Sequence, residues 1–310
     1  MKRIAIACQG GGSHTAFTAG ALSVLCERWN EQHELVSISG TSGGAICASL
    51  FWSAFVEKKP ELGAERLKNF WRDNTAGTPY ELALNNMMVA GASLKGWLPT
   101  LEISPYQMPV MAEEMFAELL RRHLYFEEWN KLVVEGSPVL QIGAVDVLDG
   151  CFTIFDSALQ RISVDMVRAS AAIPNLFRAV EIDGHHYWDG LFSHNPPLVS
   201  MLDYDPDELW IIQINPSRSE KLPRTVEEIQ DRRNELAGNL SLEQEVSTIQ
   251  MINGLLARKE LTGSRCCPVK IRRIQMDCDL NYASKLERSP EFIESLMAKG
   301  VEQALEFLAS

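Results

Sequence analysis

Apolar positions along this chain fall into two patterns. Short, nearly unbroken apolar runs at 3–8, 34–39, 138–145, 151–155 and 208–214 read as strands, and the first, Arg3-Ile4-Ala5-Ile6-Ala7-Cys8, alternates so little that it suits a strand covered on both faces. Between several of these runs the spacing turns helical, beginning with 15–28. Strands interleaved with helices predict an α/β fold, a mostly parallel central sheet with helices on both faces. Residues 76–135 break the rhythm: Gly77, Pro79, Gly91, Gly96, Pro99, Pro105 and Pro109 are scattered among apolar residues. That stretch is read as a largely irregular or short-helical insertion before a helix at about 109–122. No linker, repeat or low-complexity run divides the sequence, so 1–310 is read as a single domain with a helical portion at about 220–310.

Within that last portion, 225–260 has helical spacing, and Ser241-Leu242-Glu243-Gln244 matches a capping box that would start a second helix after Gly238-Asn239. Ser289-Pro290-Glu291 offers an N-cap, a proline at N1 and an acid in the first turn of a final helix, expected to bury Phe292, Leu296, Val301 and Leu305. Upstream, Asp183-Gly184 is a two-residue hairpin turn between Ala179-Val180-Glu181-Ile182 and His185-His186-Tyr187-Trp188.

Composition narrows the function classes. A chain of 310 residues, 46% of them hydrophobic, has enough apolar material for one large core or two small ones. Its net charge of −12, from 41 acidic and 29 basic residues, argues against nucleic acid as a partner and against attraction to anionic membranes through overall charge. The first apolar run ends at Cys8, too short for a secretory segment, and no run of about 18 apolar residues predicts a transmembrane helix. Seven scattered cysteines without a C-x-x-C pair read as reduced thiols in a cytoplasmic protein. Met87, Met88, Val89, Leu94, Trp97 and Leu98 in the insertion are read first as core, with an acyl-pocket lining or transient contact with a membrane surface as the functional alternative.

Two glycine motifs carry the chemistry. Gly40-Thr41-Ser42-Gly43-Gly44 stands between the apolar run ending at Ile38 and the small, helix-compatible run Ala45-Ile46-Cys47-Ala48, which makes a strand, a G-x-S-x-G turn and a helix in order. Such a turn exposes a serine hydroxyl above the sheet, so Ser42 is the candidate nucleophile. Gly10-Gly11-Gly12 follows the first strand and can turn its amides toward one point, as an oxyanion hole or anion nest requires, and Gly43 can add another. A dinucleotide fingerprint fails because Thr15 stands where the third glycine belongs, and no G-K-S or G-K-T follows for a P-loop. The base is less clear from spacing. Asp189 ends the strand after the hairpin, but Asp189-Gly190 by itself reads first as another turn. Of the histidines His123, His185, His186 and His194, the last would complete a Ser-Asp-His order. His185 and His186 are strand neighbours pointing to opposite faces, which favours a solvated hairpin over a metal site.

The set Gly10-Gly11-Gly12, Gly40-Thr41-Ser42-Gly43-Gly44, Ala169-Ser170-Ala171-Ala172-Ile173-Pro174 and Tyr187-Trp188-Asp189-Gly190-Leu191-Phe192-Ser193-His194-Asn195-Pro196 resembles the patatin-like phospholipase family, with all four blocks in the family's order. The resemblance implies a three-layer α/β/α fold and hydrolysis of lipid acyl esters by a Ser-Asp dyad without metal or cofactor. Ser42 would be the nucleophile, Asp189 the base, and Gly10, Gly11 and Gly12 the oxyanion loop. An acyltransferase on the same dyad and a non-catalytic lipid-binding protein are the alternatives. The chain departs from the family pattern at His14 and Thr15, where a basic residue and glycine usually follow the loop, which makes the loop's positive charge conditional on pH. It departs again at Leu191, where the family has glycine or alanine. Neither change touches a reacting atom, so activity is expected to survive.

Overall fold

The computed structural model describes residues 1–94, 104–174, 176–219, 222–261, 267–278 and 280–310. Each apolar run becomes a strand. In chain order the strands are β1 (Lys2–Cys8), β2 (His33–Thr41), β3 (Val139–Asp146), β4 (Phe152–Asp156), β5 (Val180–Ile182), β6 (His185–Asp189), β7 (Glu208–Gln213) and β8 (Lys270–Gln275). The helices are α1 (Ala16–Arg28), α2 (Gly43–Val56), α3 (Glu61–Asp73), α4 (Pro79–Leu94), α5 (Met111–His123), α6 (Phe126–Leu132), α7 (Val164–Ser170), α8 (Val226–Ala257) and α9 (Pro290–Ala309). Strands β3, β2, β1, β7 and β8 lie side by side in that order and all parallel, while β4 and β6 each run antiparallel to β3.

Alternation along the strands sorts side chains into two cores. Ile4, Ile6 and Cys8 of β1, with Trp210 and Ile212 of β7, join the larger one under α1, α2, α3 and α9; Ala5, Ala7, Leu209 and Ile211 face the opposite way, against Leu242, Val246 and Ile249 of α8. The molecule is thus a three-layer α/β/α arrangement, as the sequence predicts. No helix among the described residues is long and apolar enough to cross a membrane.

Three expectations need correction. The irregular insertion contains α4, a helix of 16 residues, started by Thr78: its hydroxyl accepts the Glu81 N–H at 3.2 Å while Glu81 Oε2 accepts the Thr78 N–H at 2.9 Å, with Pro79 in the first turn. Met87 on this helix is 71% exposed, so it is not core, and Trp97 and Leu98 lie outside the described residues. The 225–260 stretch is one helix of 32 residues, capped by Thr225 and Glu228. It runs through Gly238-Asn239 unbroken because those residues pack against other chain segments, and the Ser241 hydroxyl accepts the Asn195 N–H at 3.1 Å. Finally, α9 buries Ile293, Leu296, Gly300, Ala304 and Phe307, whereas Leu305 is 44% exposed; Phe292 and Val301 pack only at the core's margin.

Helices α1 and α9 approach so closely that each needs a glycine at the crossing. A Cβ on Gly20 would lie 2.0 Å from the Met297 carbonyl oxygen, and one on Gly300 would lie 2.0 Å from that of Phe17. Glycine weakens an isolated helix by roughly 0.5–1 kcal/mol relative to alanine, so the packing outweighs local propensity here. Gly300→Ala is accordingly expected to destabilise the protein by about 1–3 kcal/mol in urea unfolding. Gly77→Ala, where an added Cβ meets nothing within 4 Å, serves as the neutral control, and equal stability of the two variants would refute this account of the crossing.

Candidate active site

Ser42 stands between β2 and α2 at φ 56° and ψ −130°, a left-handed conformation that is costly for a residue with a side chain. The turn is held from outside. The Ser42 N–H donates to Ser170 Oγ at 2.9 Å, and the Ser170 hydroxyl donates to the Gly143 carbonyl at 2.6 Å, so one serine on α7 ties the turn to β3. The Thr41 hydroxyl donates to the His194 carbonyl.

Asp189 reaches the same place from β6. Along β3, Thr41 of β2 pairs with Gly143, and Asp189 of β6 pairs with the next residue, Ala144. β4 occupies the other edge of β3 over Gln141–Val145, so β2 and β6 share one edge and meet there with their C-terminal ends. The Asp189 carboxylate accepts the Leu191 N–H at 2.8 Å and is within hydrogen-bonding reach of the Ser42 side chain. It is 1% exposed. Burial raises its proton affinity, an effect that the Leu191 N–H, the Ser42 hydroxyl and the Lys285 charge oppose, and its pKa is pushed up to about 7.

The glycine loop lies between the Ser42 turn and a C-terminal segment. A Cβ on Gly10 would fall 2.4 Å from the Thr41 carbonyl oxygen and 2.9 Å from Ser42 Cβ; on Gly11, 2.3 Å from Ile214 Cδ1; on Gly12, itself at φ +57°, 2.3 Å from the Lys285 carbonyl oxygen. Side chains are excluded on both sides. The Gly10 N–H donates to Asn195 Oδ1 at 2.7 Å, so Gly10 contributes its bareness to the loop and its amide to Asn195. Gln9 anchors the loop's base, its Oε1 accepting from Ile214 N–H at 3.0 Å and Asn215 N–H at 2.9 Å and its Nε2 donating to the Gly238 carbonyl at 3.1 Å.

A family model for patatin-like phospholipase matches residues 6–202, the span that carries the glycine loop, the Ser42 turn and Asp189. The chain belongs to this family. Membership makes it a lipid hydrolase at the level of the family. No curated protein sequence matches it significantly. Among solved structures it is similar to VipD from Legionella pneumophila (12% identity, TM-score 0.46, covering 99% of this chain and 67% of that one). It is also similar to ExoU in the ExoU–SpcU complex from the type III secretion system of Pseudomonas aeruginosa (14% identity, TM-score 0.41, covering 100% of this chain and 51% of that one). The chain therefore spans about half of ExoU's length.

Within this patatin-like site, His14 departs from expectation. It is buried, its Nε2 lies 2.7 Å from Ser284 Oγ, and burial first and the Lys285 charge second lower its pKa to about 3. It is a neutral imidazole at ordinary pH, and the positive charge beside the loop belongs to Lys285. Of the other candidate histidines, His123 pairs with Asp73 at 3.0 Å, His185 with Asp146 at 2.7 Å and His194 with Glu245 at 2.6 Å, and His186 Nε2 lies 4.0 Å from Glu181. Asp146, Asp149 and His185 lie close together, but Asp146 Oδ1 also accepts the Leu148 and Asp149 N–H groups, which makes it a turn-closing acid. The structural parts that sequence reasoning missed are Ser170, Gln9 and Lys285. Ser170 stood inside a motif block, whereas the other two act across more than 200 residues of chain.

The raised pKa of Asp189 fixes the sign of a stability effect. A carboxyl that holds its proton more tightly folded than unfolded stabilises the fold at acid pH, and that contribution is lost as pH rises through about 7. Asp189→Asn should therefore be more stable than wild type at pH 8.5, by about 2–4 kcal/mol, and the difference should vanish near pH 4. Urea unfolding at both pH values tests this; a difference independent of pH would mean that Asp189 does not titrate in the folded state as described.

Proposed function

We propose that this protein is a serine-dependent lipid acyl hydrolase of the phospholipase A or carboxylic ester hydrolase type, with Ser42 as nucleophile and Asp189 as base. The observation that carries the reading is a strained serine facing a dry carboxylate whose proton affinity lies near neutrality. An ordinary aspartate, with a pKa of about 3.9, is a weak base toward an alcohol. Raised to about 7, Asp189 both takes up and returns a proton effectively at neutral pH.

In the proposed cycle Asp189 takes the proton of the Ser42 hydroxyl as Oγ bonds to the ester carbonyl carbon. The electron pair of the C=O moves to oxygen, and that oxyanion is met by the amides of Gly11, Gly12 and Gly43, the last at the N-terminus of α2. Collapse of the tetrahedral species breaks the bond to the leaving oxygen, which takes the proton from Asp189 and departs as the alcohol. Water then attacks the acyl-serine, its proton passing to Asp189 and from there to Ser42 Oγ, and the fatty acid is released. No cofactor or metal enters the cycle.

The test is incubation with phospholipids, neutral glycerides and short esters, alongside labelling by a fluorophosphonate probe. Wild type should be labelled at Ser42 and release fatty acid. Ser42→Ala and Asp189→Asn should remain folded and lose at least about 10³-fold in hydrolysis. Full activity in Ser42→Ala would overturn the proposal, and acyl transfer to an added alcohol in preference to water would make the protein an acyltransferase.

A further inference from the structure

Lys285 lies outside the matched family span and outside every sequence motif, in the 3₁₀ turn Tyr282–Leu286. We propose that it is the positioning cation of the glycine loop: packed behind Gly11 and Gly12, it fixes the loop's shape and places positive charge one backbone layer from Ser42 and Asp189. The inference rests on the serine hydrolase reading and adds to it a residue that acts through the loop.

The geometry has three parts. First, the Lys285 carbonyl fills the space a Gly12 side chain would take, and its Cε lies 3.7 Å from where a Gly11 Cβ would be. Since Gly10 abuts the Ser42 turn, the loop is a single strand of backbone between Ser42 and Lys285. Second, the ammonium is aimed by a neutral partner. Its Nζ donates to Asn215 Oδ1 at 2.8 Å, and Asn215 is 1% exposed, just beyond β7, the neighbour of β1. Among the described residues the buried Asn215 amide nitrogen has no hydrogen-bond partner, so the contact this residue makes here is through its oxygen. Third, the adjoining Ser284 fixes His14, which is neutral, so the charge comes from Lys285.

Acidic groups face Lys285 and offset part of its charge. Asp231 and Glu235 on α8 line the small cavity that it shares with His14 and Cys278. Glu235 also accepts from Arg232 at 2.8 Å. Burial lowers the Lys285 pKa to about 8, opposed by Glu235, Asp231 and Asp189, so it is mostly protonated at neutral pH. The coupling is reciprocal: the Lys285 charge favours the ionised form of Asp189, the form that acts as base.

Lys285→Met and Lys285→Arg should be compared with wild type by the rate of fluorophosphonate labelling at Ser42 and by hydrolysis of a short p-nitrophenyl ester between pH 5 and 9. Loss of the cation should slow labelling at least about tenfold and move the acid limb of the profile to higher pH, because Asp189 then holds its proton more tightly. Arginine should restore part of the rate and return the limb toward its original position. If Lys285→Met does not fold, Lys285→Gln takes its place, with thermal unfolding as the check. Wild-type rate with an unmoved limb overturns the inference, and so does a slowed rate with an unmoved limb and no rescue by arginine, which marks a purely structural residue. Those outcomes leave the hydrolase reading standing; a wild type that takes no label at Ser42 overturns that reading and this inference with it.

Discussion

One edge of β3 is shared by two strands that approach from opposite directions, and the arrangement around Ser42 follows from that. β2 runs parallel to β3 and stops at the Thr41–Gly143 pair; β6 runs antiparallel and stops at the adjacent Asp189–Ala144 pair. Side chains at two strand ends are thereby placed face to face, although their residues are far apart in sequence. Register is critical. A slip of one residue in β6 would turn Asp189 to the opposite face of the sheet and bring Trp188 or Gly190 to the site. The tight hairpin secures against this, with Asp183 and Gly184 both at positive φ (52° and 83°), as a two-residue turn requires. The Asp189 N–H donating to Ala172 at 3.0 Å adds a second tie.

The same burial that would suit Asp189 to the role of base in the proposed cycle makes its ionised form expensive, and the surrounding groups hold the balance. Drying alone raises a carboxyl's pKa without limit to its usefulness as an acid, but a base must also ionise. The Leu191 N–H donates to the carboxylate, the Ser42 hydroxyl beside it also favours the ionised form, and Lys285 acts at longer range. His14 shows the outcome when burial is reinforced by a neighbouring positive charge, that of Lys285: it loses its own charge. Asp189 and His14, both near one loop, thus move in opposite directions, each toward its neutral form, and of these two only Asp189 has partners that pull it back.

How much of this could be read from the sequence depends on the range over which each signal acts. The five apolar runs, the hairpin turn and the Ser42 turn are local patterns, and the structure places strands and turns there. Helix α4 was also legible, since Thr78-Pro79-Tyr80-Glu81 is a capping box with proline at N1, but the surrounding glycines and prolines outweighed it as loop signals. β8 has a different difficulty: Lys270-Ile271-Arg272-Arg273-Ile274-Gln275 is half charged, and its arginines are accommodated only in three dimensions. Arg272 lies over the Phe307 ring at 3.8 Å, and Arg273 pairs with Glu243 at 2.6 Å. The Gly238-Asn239 break failed because the glycine that reads as a helix end is there so that the Asn215 side chain can pack against α8. Lys285 carries no local signal at all, since only the folded chain brings it to the loop.

These long-range contacts bear on what the matched span 6–202 is by itself. Without the residues after 202, β1 would lose β7 and become an edge strand with the glycine loop at its end. Gln9 would lose the Ile214 and Asn215 amides and the Gly238 carbonyl that hold the loop's base, and Gly11 and Gly12 would lose the wall that Ile214 and Lys285 form. Helix α1, which follows the loop, would lose the α9 crossing at Gly20 and Gly300. Ser42 and Asp189 would still be adjacent, because β2, β3 and β6 all lie inside the span. A serine and a carboxylate alone activate the nucleophile, whereas a preorganised set of amides stabilises the charge that develops after attack. The division is therefore physical as well as sequential: the family segment brings the two side chains together, and the last third of the chain gives the loop opposite them its shape and charge.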